Sequence, residues 1–170
     1  MNRISLLFSA AALSIAVTAS ADRYEEMPAL LSQPKATTDP MIPIYRASGV
    51  RDNGGAAGTG IATSIHCTNI GGDTETLKYI VRNFDSSVKS TLTLNIGSAQ
   101  TRTASTHDTV MFAEDIILNT GVVNQGNVTV TATSTNIYCS IMLVDASAAV
   151  PVGVSLHAVR FNPMVGAESE

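Results

Sequence analysis

The chain has no tryptophan, only two cysteines, and aromatic residues make up just 5% of it. Each scarcity removes a class of function. A carbohydrate platform built on exposed indoles is excluded. Cysteine-rich metal modules are excluded too, because neither cysteine has a partner at C-x-x-C spacing. Charge is sparse, at 14% of residues, and the formal net charge of −4 comes without any basic run. Such a chain offers no electrostatic footprint for nucleic acid or anionic lipid. Beyond residue 21 no apolar stretch approaches the roughly 18–20 residues that span a bilayer, so no transmembrane anchor is expected.

What is there begins with MNRISLLFSAAALSIAVTASA, residues 1–21. Arg3 supplies a positive start, Ile4 to Val17 an apolar stretch, and Ala19-Ser20-Ala21 an A-x-A cleavage site. The pattern predicts a cleaved signal peptide on an exported bacterial protein, periplasmic or secreted. Cleavage after Ala21 leaves 170 − 21 = 149 residues, and loss of Arg3 moves the charge from −4 to −5. That length is one ordinary domain with room for a substantial core. Residues 22–40 hold Pro28, Pro34 and Pro40 among polar neighbours and read as an extended leader. The domain itself is expected over 41–163, and 164–170 is a polar C-terminal tail.

From Met41 onward β-branched runs alternate with Gly, Asn, Asp and Ser clusters. Strands are expected over 42–50, 60–68, 76–83, 89–96, 100–105, 110–117, 127–133, 136–144 and 155–161. Thr91 to Ile96 and Asn127 to Thr133 alternate cleanly, as strands with one wet face should. Helix-length segments between the strands are missing, which argues against a parallel α/β sheet. The expected fold is all-β, a single antiparallel β-sandwich. The segments Tyr79 to Asp85, Ser90 to Leu94 and Gly97 to Thr103 resemble small exported bacterial immunoglobulin-like β-sandwich proteins of uncharacterised function. That resemblance spans roughly Ile61 to Phe161 and implies a fold and no catalytic residue.

Cys67 and Cys139 can close one intramolecular disulfide across 139 − 67 = 72 positions. Two buried free thiols or a metal pair are the alternatives. An early strand joined to a late one is where an immunoglobulin-type sandwich places its inter-sheet bridge. The match is partial: no tryptophan packs there, and Tyr138 lies one residue before Cys139 instead of two.

Candidate chemistry is thin. His66, His107 and His157 are the only histidines, and none is clustered as His-x-His. They would need to converge in space to hold a metal; as separate residues His66 and His157 are strand positions on partly polar faces, and His107 belongs to a solvated loop whose Asp108 makes a turn hydrogen bond. His107-Asp108, with Glu114-Asp115 and the hydroxyls of Ser105 and Thr106, is the densest ionisable cluster. Adjacent strand residues point to opposite faces, so a nucleophile–base pair is not expected there. Asp52-Asn53-Gly54-Gly55 and Gly71-Gly72-Asp73 could share a calcium ion if they met at one end, and otherwise are turns. Arg46, Arg82, Arg102 and Arg160 sit in or beside strands, where they pair with a carboxylate or recognise a carboxylate or sugar ligand.

These residues point to an exported non-catalytic module that binds, or helps build, the envelope or surface. Its partner would be an envelope or extracellular protein or glycan, and no cofactor is called for. The alternatives are a periplasmic metalloprotein using His66, His107 and His157, and a pilin-like fimbrial subunit.

Overall fold

The computed structural model describes residues 41–150 and 152–161. The expected signal peptide (1–21), leader (22–40), C-terminal tail (164–170) and end of the domain lie outside the described residues. The alternating segments form β1 (Ile42–Asp52), β2 (Ile61–Asn69), β3 (Glu75–Arg82), β4 (Val88–Ile96) and β5 (Thr101–Ser105). They are followed by β6 (Ile116–Ile117), β7 (Val123–Ala132), β8 (Ile137–Asp145), β9 (Gly153–Ser155) and β10 (Ala158–Arg160). Two five-stranded sheets result, ordered β10-β1-β7-β3-β4 and β6-β5-β2-β8-β9.

The sheets pack face to face in a sandwich-like arrangement. Leu77, Tyr79, Val81, Val128 and Val130 of the first sheet meet Ile65, Cys67, Ile137 and Ile141 of the second in one core. β3 shows why this works. Its burial alternates residue by residue, with Leu77, Tyr79 and Val81 inward and Lys78, Ile80 and Arg82 outward.

Four expectations change. Cys67 and Cys139 do form a disulfide, but it lies within the second sheet and joins no sheet to the other. The two residues are direct partners in the β2–β8 ladder, with their Cα atoms 4.1 Å apart. Antiparallel neighbours approach that closely only at a non-hydrogen-bonded pair, about 4.5 Å between Cα atoms. Next, the sheets are not wholly antiparallel, because β5 and β6 run parallel. Residues 106–115 connect β5 to β6, with Met111 and Phe112 packed over the outer face of the second sheet, because a parallel pair cannot be joined by a tight hairpin.

The expected strand over 110–117 shrinks to Ile116–Ile117. Met111 and Phe112 spend their apolar surface on Ala62, Val144 and Met142 instead of entering a ladder. Finally, the strand expected over 155–161 splits: β9 pairs with β8 in one sheet and β10 with β1 in the other. Leu156, between them, packs against the core, so this segment closes the open side of the sandwich.

Candidate functional site

The two outer faces of the sandwich are unlike. On the first sheet, the ladders place Arg46 beside Thr129 and Ser48 beside Asn127. β3 adds Ile80 opposite Thr129 and Arg82 opposite Asn127. Residues directly opposite share a face, so these side chains project together. Arg46, Ser48, Arg82, Asn127, Thr129 and His157 line a groove of about 480 Å³ on this face. No acidic residue lines it. The Arg46 guanidinium lies 5.1 Å from the centre of the Phe161 ring, a cation–π contact. Arg82 Nη1 donates to the Ser86 carbonyl at 3.1 Å. Among the described residues neither arginine has a carboxylate partner.

On the second sheet Met111 and Phe112 cover part of the outer face, while Thr101 and Tyr138 stay exposed. Ser64 and Ser105 share a hydroxyl hydrogen bond of 2.7 Å, and the Thr68 and Thr101 hydroxyls one of 2.8 Å. Between them His66 Nδ1 lies 3.1 Å from the Thr103 hydroxyl, with Phe112 edge-on at 4.5 Å. His66 Nε2 is buried without a hydrogen-bond partner among the described residues. Burial holds the His66 pKa below the ordinary imidazole range, against a weaker opposing pull from Glu114. Glu114 itself accepts from the Thr109 N–H and hydroxyl, at 3.1 and 2.6 Å. The serines bond each other, and the hydroxyl beside His66 is that of Thr103.

A third cluster lies at the end of β1. His107 Nδ1 is 3.0 Å from Asp52 Oδ1, while His107 Nε2 contacts the Thr59 carbonyl at 2.9 Å. The Asp52 carboxylate also accepts from the Thr120 hydroxyl at 2.9 Å and the Gly54 N–H at 2.6 Å. An aspartate beside a histidine suggests an activated nucleophile. Here the far nitrogen, which would take the nucleophile's proton, faces a backbone carbonyl instead. The pair is buried and ties three segments: the end of β1, the glycine-rich turn after it and the connection after β5.

The sequence-derived candidates therefore scatter. His66 sits under the cover of the second sheet, His107 in the buried pair, and His157 in the groove of the first sheet. Among the described residues no group of three or more His, Cys, Asp or Glu could hold a metal ion. Asp108, paired with His107 only in sequence, is exposed. The two turns weighed for a shared calcium lie at opposite ends of β2. Asn53 bonds Ile61 at its start, and Gly71 bonds Asn69 at its end.

Arg102 pairs with Asp115. Burial opposes that carboxylate's charge, but the Thr103 N–H and the Arg102 guanidinium outweigh it and hold the pKa below the usual range. Arg160 donates to the Thr135 carbonyl at 2.7 Å and covers Tyr45. Arg46, Arg82 and His157 come together in the groove of the first sheet.

Ser48, Asn127 and Thr129 were not legible as groove residues. Alternation puts Asn127 and Thr129 on the wet face of their strand, but which strands flank them is a register fact. Asp52 did carry a signal, since Asp-x-Gly favours the side-chain-to-backbone turn that it makes with Gly54. Among the described residues no helix is long and apolar enough to cross a membrane. The chain matches no family model, no curated protein and no solved structure.

Proposed function

We propose that this protein is an exported, non-catalytic binding module of the bacterial envelope or surface, working through the outer face of its first sheet. One observation carries the reading: the outer face of the first sheet holds a groove that brings Arg46, Arg82 and His157 together, whereas Met111 and Phe112 cover part of the outer face of the second. The signal-like residues 1–21 and the single disulfide support export to an oxidising compartment. An immunoglobulin-like architecture belongs to the same proposal. Two packed sheets of short strands favour it, and the one-sheet position of the bridge departs from it.

The test is retention of the purified protein on cell-envelope material from the producing organism. Ser48→Trp fills the groove of the first sheet; Thr101→Trp is the matching change on exposed β5. Loss of retention with Ser48→Trp alone is the expected result. Equal retention of both variants overturns the choice of face, and no retention of the unaltered protein overturns the reading.

A further inference from the structure

The geometry points to an acidic sugar, a pyranose bearing a carboxylate, as the ligand of the first-sheet groove. This inference rests on the binding-module reading above and adds the ligand's chemistry. Arg46 and Arg82 stand on β1 and β3, the two strands flanking β7. At normal strand spacing their backbones are roughly 10 Å apart laterally, a distance that two long side chains can close from both sides. Neither has a carboxylate partner among the described residues, and no acidic residue lines the space between them. The outward strand positions of this face add Lys78 and no Asp or Glu. In a chain whose net charge is −4, a carboxylate-free strip with paired guanidiniums is a segregated feature. Guanidinium forks match the planar oxygens of a carboxylate.

The remaining walls decide between a bare anion and a sugar. Ser48, Asn127 and Thr129 offer neutral donors and acceptors beside the arginines, which complement ring hydroxyls and are surplus to a lone oxyanion. Beyond the lining, Phe161, 39% exposed, lies against Arg46 and adds an apolar surface beside the groove. The volume, about 480 Å³, falls within the range of small-molecule sites and is far larger than a phosphate needs.

Isothermal titration of the purified protein with digalacturonate tests this, with neutral galactobiose, triglutamate and inorganic phosphate as comparison arms. Digalacturonate should bind, and galactobiose at least about tenfold more weakly. Arg46→Gln and Arg82→Gln should each weaken digalacturonate binding by about tenfold or more. Arg51→Gln, an exposed arginine of β1 that does not line the groove, should leave it unchanged. Urea unfolding of each variant separates lost binding from lost folding. Equal binding of galactobiose overturns the role of charge. Binding of phosphate or triglutamate as tight as that of digalacturonate overturns the sugar. Unchanged affinity in both arginine variants overturns the site. If no probe binds while envelope retention still responds to Ser48→Trp, the acidic-sugar assignment fails and the module reading stands. If both vanish, both fail.

Discussion

The two sheets of this sandwich carry opposite designs on their outer faces. The first sheet keeps a simple two-sided alternation, as β3 shows with Leu77, Tyr79 and Val81 buried and Thr76, Lys78, Ile80 and Arg82 partly exposed. The second is buried on both sides where residues 106–115 cross it, and there polar residues go under cover: Thr63, Ser64, Ser105 and Thr106 are all buried. Those groups are tolerable because they find hydrogen-bond partners. Thr63 N–H donates to the Thr106 hydroxyl at 2.9 Å, and its hydroxyl to the Arg51 carbonyl at 2.9 Å. The second sheet thus carries the disulfide and this hydroxyl network, while Arg46 and Arg82 of the first have no carboxylate partner among the described residues.

The largest effect should come from the staple. Replacing Cys67 and Cys139 by alanine opens a closure of 72 residues, and the chain-entropy model sets the loss at about 4 kcal/mol. Urea unfolding with and without reductant reads it, and an unchanged midpoint would remove the staple from the contrast. Next comes the buried pair. Asp52→Ala leaves His107 facing an emptied site, and calorimetry should show a loss of about 3 kcal/mol.

A smaller effect is set by pH. His66 has its pKa lowered by burial, so below the ordinary imidazole value of about 6.5 the unfolded chain takes up the proton first. Stability conferred by the neutral ring is complete above that value and declines as pH falls through it towards the lower folded pKa. Unfolding midpoints of His66→Gln should therefore be flatter between about pH 7 and 5 than those of the parent. The smallest effect belongs to the outer face of the first sheet. Arg46→Gln and Arg82→Gln should shift unfolding by less than about 0.5 kcal/mol, and a larger loss would mean that this face too is structural.

The same contrast explains what could be read from the sequence. Strands of the first sheet announce themselves through alternation, as Thr91 to Ile96 and Asn127 to Thr133 do, because one side of each meets water. β2 alternates poorly: Ala62, Thr63, Ser64 and Ile65 are buried in succession, so period no longer separates core from surface. The disulfide was legible as a pair but not as a cross-strand pair, since opposition of Cys67 and Cys139 depends on which strands are neighbours. Likewise Val110 to Phe112 looked like strand because apolar runs do not say which surface they will cover. The groove needed three strands in register before Arg46 and Arg82 could be seen to share it. Asp52 and His107 are separated by 55 positions (107 − 52), and only the folded chain joins them.

The closing segment has a consequence of another kind. β10 runs back along the start of β1, and the Phe161 N–H donates to the Ile44 carbonyl at 2.8 Å. The fold therefore opens and shuts at a single corner, with its entry and exit side by side. A domain of that shape can be spliced into a surface turn of a host protein, or its two ends joined and a new opening cut in the β3–β4 hairpin at Asp85-Ser86, without rerouting either sheet.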